Sequence, residues 1–154
     1  MHCRHSQPLS SSDATDRSID ILLVEDNPGD VRLTREAFEA GNMAVTLHAS
    51  STAREAKGYL ESNRPLPDIV LLDLNLPGMN GVDFLHWLRD DPTLGSLPVI
   101  MLTSSASADD VSTCYGTGAN AYVTKPMDHD EFVAIAEAIE RFWLQRAKLP
   151  CITQ

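Results

Sequence analysis

The sequence predicts a doubly wound α/β fold, an open parallel sheet of five strands with helices on both faces. Short apolar runs bounded by turn residues alternate five times with stretches of helical periodicity. Each connection between runs is helical and of crossover length, as parallel neighbours require. No internal repeat or long linker interrupts the pattern, so the 154 residues hold one domain with a full core.

Residues 20–24 form the first strand, a continuous apolar run of the kind buried on both faces. It leads into Glu25-Asp26-Asn27-Pro28-Gly29-Asp30, where two adjacent carboxylates at a strand end are unusual. Asn27 followed by Pro28 marks a helix start, a capping side chain and then proline at the first helical position. That helix is predicted over 28–40, with Val31, Thr34, Arg35 and Phe38 on one side and Gly41-Asn42 closing it. The second strand, 45–49, alternates as an edge strand does, and His48 reads as a surface residue of that edge. Ser51 or Thr52 then caps a helix to about residue 63, and Pro65 and Pro67 end the linker.

The third strand is Ile69 to Leu72, preceded by Asp68; it ends on Asp73, and Pro77-Gly78 stop regular structure. Val82, Leu85, Trp87 and Leu88 predict a helix to about residue 90, stopped by Asp91-Pro92, with His86 at the surface and Trp87 in the core. The fourth strand, 97–102, runs into Thr103-Ser104-Ser105, and a short helix over 107–115 is predicted to break at Gly116 and Gly118. The fifth strand, 121–124, runs into Lys125-Pro126. Asp128 and Glu131 make an acidic capping box for a last helix carrying Phe132, Ile135, Ile139 and Phe142. That helix is expected to end near Arg146, with Pro150 shutting it off. Residues 1–18, polar and poor in large apolar side chains, are expected to be a disordered tail; 19–147 form the domain and 148–154 a short C-terminal tail with no output domain attached.

Composition narrows the function classes. With 43% hydrophobic and 22% charged residues, the chain is an ordinary globular protein, and its net charge of -10 argues against binding nucleic acid. No apolar run reaches membrane-spanning length, and the N-terminus lacks the apolar core of a signal peptide, so no membrane association is expected. Cys3, Cys114 and Cys151 are isolated, odd in number and in no metal-ligand spacing, which fits a reduced, cytoplasmic protein. His2, Cys3 and His5 read as part of the tail.

In a parallel sheet the C-terminal ends of all strands share one edge. Here that edge carries Glu25 and Asp26, Asp73, Thr103 and Lys125. In the flavodoxin-like (βα)5 order 2-1-3-4-5 the strand order reverses between the first and third strands, and ligands bind outside that point. Asp26 and Asp73 are then neighbours. At about 4 to 5 Å and an effective dielectric near 20, two carboxylates repel by roughly 3 to 4 kcal/mol. Glu25 worsens this, and one lysine cannot offset three negative charges. A divalent cation can: carboxylates and a backbone carbonyl are the hard oxygen ligands that Mg²⁺ prefers. Thr103 offers a hydroxyl and Lys125 an ammonium to phosphoryl oxygens. Only three lysines, Lys57, Lys125 and Lys148, occur in the chain, and one stands at a strand end before a proline. Together these groups describe phosphoryl transfer to Asp73. No Gly-rich phosphate loop follows any strand, so the phosphoryl group must arrive on a donor.

These residues resemble the receiver domains of two-component response regulators. The motifs are Val24-Glu25-Asp26-Asn27, Leu72-Asp73-Leu74-Asn75-Leu76-Pro77-Gly78, Leu102-Thr103-Ser104 and Thr124-Lys125-Pro126, and the match covers about residues 20–146. The resemblance implies that Asp73 is the phosphoacceptor and Asp26 a direct Mg²⁺ ligand. Glu25 would act on the metal through water, and the Asn75 backbone carbonyl would be a third protein ligand. Thr103 and Lys125 would hold the phosphoryl group, with Thr103 and Tyr122 forming a switch. The protein would be a signalling phosphoacceptor, catalysing only its own phosphoryl transfer and dephosphorylation.

The stretch from Glu25 to Leu33 and the Phe142-Trp143 pair resemble single-domain regulators paired with phytochrome-type histidine kinases. That implies a histidine kinase as partner and a homodimer through the fourth helix, fifth strand and fifth helix. Adjacent helical residues point about 100° apart, so Phe142 and Trp143 do not both face one core. With Tyr115 and Tyr122 they make the expected dimer or partner surface. Two other readings stay open on the residues: a Mg²⁺-dependent phosphohydrolase with an aspartyl-phosphate intermediate, and a pseudo-receiver binding module. Against the first, Asn75 stands where the second Asp of such hydrolases is found; against the second, Asp26, Asp73, Thr103 and Lys125 are all present.

Overall fold

The computed structural model describes residues 18–41, 43–62 and 64–152, the stretch 143–152 for its backbone alone. Residues 1–17 of the expected N-terminal tail, Asn42, Asn63 and the Trp143 side chain lie outside the described residues, while Ser18, expected in that tail, opens β1 and pairs with Ala44. Five strands, β1 (Ser18–Val24), β2 (Ala44–Ser50), β3 (Ile69–Leu72), β4 (Val99–Thr103) and β5 (Ala121–Thr124), alternate with five helices. The helices are α1 (Pro28–Glu39), α2 (Ala53–Glu61), α3 (Gly81–Asp90), α4 (Ala108–Thr117) and α5 (His129–Ile152). The sheet is parallel throughout, in the order β2-β1-β3-β4-β5, the flavodoxin-like topology expected from the sequence.

Every helix begins on a side chain that satisfies an orphan backbone N–H. Asn27, Thr52, Asn80 and Ser107 cap the first four, and Asp128 Oδ1 accepts from Glu131 N at 2.9 Å to start the fifth. Side chains alternate across each strand, so the sheet feeds two cores. Leu22, Val24, Val70, Leu72, Val99 and Met101 face α2, α3 and α4, where Leu60, Phe84, Leu88 and Cys114 meet them. Ile19, Ile21, Leu23, Ile69, Leu71, Ile100 and Leu102 face α1 and α5, against Phe38, Phe132 and Ile139. Both faces of β3 and β4 are thus buried, which explains why their runs are apolar without alternation.

Beyond the earlier start of β1, the structure departs from expectation at four places. β4 begins at Val99, two residues later than predicted: Leu97 N closes a turn on Leu94 O, and Pro98 has no N–H to give a ladder, though its carbonyl accepts from Val70 N at 2.9 Å. Gly116 lies inside α4, a tolerable cost of about 1 kcal/mol; Gly118, with φ 112°, supplies the left-handed cap. There the Arg89 guanidinium gathers the carbonyls of Gly118, Gly95 and Leu97 and the Asn120 side chain, tying the end of α3 to the α4–β5 turn. α5 runs on through Pro150 to Ile152; a proline in the last turn forfeits one N–H and crowds one carbonyl, which here does not end the helix. His48 is half-buried, its ring stacked on Tyr59 at 3.9 Å between centroids.

Glu140 on α5 is a buried carboxylate packed against Gly41, and no described group donates to its Oε2. Burial, and then the charge of Glu137, push its pKa up. Between the ordinary carboxylate value and the raised one the folded state holds a proton that the unfolded chain has lost, so the stability tied to Glu140 falls as pH rises across that interval. Glu140→Gln is expected to stabilise the protein by about 1 kcal/mol near neutrality. In thermal melts this gain should shrink as pH falls below the carboxylate range. An equal gain at every pH would remove the titration of Glu140 as the cause.

Candidate functional site

Register brings the polar strand ends together. Asp73 N donates to Val24 O at 3.0 Å, and Glu25 N donates to Ser50 O at 2.9 Å, so the residues that follow β1 and β3 stand side by side. One oxygen from each of Glu25, Asp26 and Asp73 falls within 4.8 Å of the others. Glu25 and Asp73 are buried and Asp26 is exposed. At such spacing each pair of charges repels by roughly 3 kcal/mol at an effective dielectric near 20.

A single ammonium opposes this. Lys125 Nζ lies 2.6 Å from Glu25 Oε1, 2.9 Å from Asp30 Oδ2 and 3.1 Å from Asp73 Oδ2, and its side chain is only 10% exposed. Lys125 N donates to Thr103 O at 2.8 Å, which fixes the backbone from which the side chain reaches. Burial alone would lower the lysine's pKa, but hydrogen bonds to Glu25, Asp30 and Asp73 outweigh it and hold the group firmly charged. Burial drives Glu25 the other way, up to about 7, against the contact with Lys125. Its Oε2 also accepts from Asn27 N at 3.1 Å. The donor set, three carboxylates around one point with Asp26 open to solvent, fits a hard divalent cation.

Thr103 is buried at the end of β4, where its Oγ1 accepts a long bond, 3.4 Å, from Ser105 N. Asn75 is exposed beside Asp73 and donates its N–H to Asp73 Oδ1 at 3.2 Å. Tyr122 on β5 turns its hydroxyl to Ser105 O at 2.7 Å, while Tyr122 N donates to the Tyr115 hydroxyl at 3.1 Å. Ser105 Oγ in turn donates to Asp110 Oδ2 of α4 at 2.5 Å. Glu25, Asp26, Asp73, Asn75, Thr103 and Lys125 thus share one sheet edge, and Tyr122 reaches it through the loop after β4. Tyr115 and Phe142 are exposed on α4 and α5, on either side of β5, away from that edge. An apolar groove of about 210 Å³ lies on the α5 side, lined by Ile100, Ala121, Val123, Ile135 and Phe142.

Asp30, Ser105 and Asp110 were not among the residues the sequence singled out. Asp30 lies in the first turn of α1, where an acidic residue reads as a complement to the helix dipole. Its bond to Lys125 spans 95 residues, and no local pattern announces it.

This fold, with this set of residues at its carboxyl edge, is that of a receiver in two-component signalling, and the chain belongs to the response regulator receiver domain family, whose model matches residues 21–137. Among its relatives is the response regulator Rcp1 of Synechocystis sp. (strain ATCC 27184 / PCC 6803 / Kazusa). The two are 35% identical over 135 residues, covering 84% of this chain and 92% of Rcp1. Among solved structures it resembles the phosphorylated cyanobacterial phytochrome response regulator RcpA, with a TM-score of 0.77, 36% identity, and coverage of 83% of this chain and 95% of RcpA. The Mn²⁺-bound form of Rcp1 aligns with a TM-score of 0.74 and 34% identity, over 82% of this chain and 94% of that one.

Gly81 starts α3 directly behind Asp73, and its N–H donates to Leu74 O at 2.8 Å. A Cβ there would collide with the Asp73 carbonyl oxygen and lie 2.8 Å from Leu74 Cα, both backbone atoms that cannot step aside. Gly81→Ala is expected to destabilise the protein by about 2 kcal/mol and to shift Asp73. Urea unfolding and the Asp73 amide resonance report these two effects; unchanged values for both would show that the backbone yields freely here.

Proposed function

We propose that residues 19–147 form a receiver that accepts a phosphoryl group on Asp73 from a histidine kinase, with Mg²⁺ as cofactor. The observation that carries this reading is the Asp73 carboxylate held 3.1 Å from Lys125 within an acidic cluster that fits a divalent cation. Glu25, Asp26, Asp73 and the Asn75 carbonyl would hold the metal, which when bound neutralises charge on a transferring phosphoryl group. An Asp73 oxygen attacks phosphorus as the bond to the donor imidazole breaks, and the imidazole nitrogen keeps the electron pair. Lys125 and the Thr103 hydroxyl bind the phosphoryl oxygens that Asp73 gains. The chain turns over no other substrate.

Phosphorylation gives the Thr103 hydroxyl a new acceptor, and the loop from Thr103 to Ser105 carries that change to the Tyr122 ring. Acetyl phosphate with Mg²⁺ is expected to add one phosphoryl mass to the wild type and none to Asp73→Asn, and to move the Tyr122 ring resonances only in the wild type. Full incorporation in Asp73→Asn would remove Asp73 as acceptor, and an unmoved Tyr122 in phosphorylated wild type would remove the switch.

The kinase is of phytochrome type on this reading, in line with the description of RcpA as a phytochrome response regulator. The signal leaves through a homodimer that pairs α4, β5 and α5 of two copies. Exposed Tyr115 and Phe142 and the apolar groove that Phe142 lines support that face. Sedimentation at about 50 μM should find the wild type paired and Phe142→Ala weakened at least about tenfold. Monomers in both, with and without phosphorylation, would leave that face to the kinase or a target.

A further inference from the structure

We propose that Asp30 is a positioning residue that holds the Lys125 ammonium when a cation takes Glu25 and Asp73. This rests on the reading that the acidic cluster binds a divalent cation. Lys125 Nζ contacts three carboxylates, and two of them, Glu25 and Asp73, are members of that cluster. The third, Asp30, contacts the lysine at 2.9 Å and is outside it.

A cation and an ammonium drawing on the same Glu25 and Asp73 oxygens compete, and like charges at about 4 Å repel by roughly 4 kcal/mol at an effective dielectric of 20. Asp30 relieves the competition by keeping a full countercharge on Lys125 outside the cation's own ligands. It is built to stay there. Its N–H donates to the Asn27 cap at 3.1 Å, its carbonyl accepts from Thr34 Oγ1 at 2.8 Å, and the first turn of α1 fixes its backbone. Its side chain, 28% exposed, reaches inward to the lysine. Without Asp30 the ammonium has only cluster oxygens left among its contacts, and it stands against the incoming cation.

A plain role in helix capping predicts something different. Loss of an acidic side chain from a first turn lowers stability and leaves cation affinity to simple through-space attraction, which acts whether or not Lys125 is present. A double-mutant cycle separates the two. Mg²⁺ is titrated calorimetrically into wild type, Asp30→Asn, Lys125→Met and the double variant, with far-UV melts to show that each is folded. Asp30→Asn is expected to weaken Mg²⁺ binding about fivefold beside Lys125 and less than about twofold beside Met. Equal losses in the two backgrounds, or no loss beside Lys125, overturn the role of Asp30 while leaving the cation site intact. A wild type that takes up no Mg²⁺ overturns the cation reading and Asp30's role with it, and the wild-type titration alone identifies that outcome.

Discussion

Among the described residues, Lys125 is the one cation in contact with the edge where Glu25, Asp26, Asp30 and Asp73 converge, and the edge depends on it. Its contacts of 2.6, 2.9 and 3.1 Å go to carboxylates from two separate segments of chain, Glu25 and Asp30 in one and Asp73 in the other. Moving such charges out of water costs several kcal/mol for each ion, and attraction repays this only with good geometry and further hydrogen bonds. Some of those bonds are present, Asn27 N to Glu25 and Asn75 N to Asp73, but one ammonium leaves the cluster acidic on balance. Burial raises the pKa of Glu25, and the neighbouring charge of Asp73 adds to that rise. An edge arranged only for stability would carry fewer carboxylates or more cations. This one keeps a standing demand for positive charge, which is the electrostatic condition for binding a divalent ion and then a phosphoryl group.

That demand follows from topology. Pairing β1 with β3 sets Val24 level with Leu72, so the next residues on both strands are the acids. Pairing β4 with β5 sets Thr103 level with Thr124, so the residue after β5 is the lysine. A slip of one residue in any of these pairs would turn the adjoining side chains to the opposite face. The apolar runs on both faces of β3 and β4 guard against such a slip, because each face has its own core to fill. Packing far from the edge thereby fixes distances within it.

The strands were legible because their apolar runs are short and end in turn residues, and three helix starts because each carries a capping side chain or capping box; the caps Asn80 and Ser107 emerged only with the structure. The strand order, and so the meeting of Asp26, Asp73 and Lys125, followed from the alternation of elements. Other features depend on distance in space and left no local mark. Gly116 and Gly118 are the same residue type two positions apart, and only the positive φ at Gly118 separates helix interior from cap. His48 stands on the edge strand as read, but its stacking on Tyr59, eleven positions on, left no local mark. Asp30 has the right chemistry for a helix start, which hid its contact with a lysine on the far side of the sequence.

Ser105 shows how little separates the site from the surface. Its N–H donates to Thr103 Oγ1, its carbonyl accepts from the Tyr122 hydroxyl and its Oγ donates to Asp110, so one residue bonds to β4, β5 and α4. The bond to Thr103 is the longest of these at 3.4 Å, and the bond to Asp110 is the shortest at 2.5 Å. Bonds that share a residue are not independent, since moving the backbone to improve one misaligns the others. A stronger partner for the Thr103 hydroxyl would therefore act first on the weakest link, at Ser105 N, and reach the carbonyl that holds Tyr122 through a single peptide unit. The loop after β4 is in this sense balanced between two anchors, a loose one at the site and a tight one on α4. On the proposed reading, a change of charge at Asp73 would act first on the loose one.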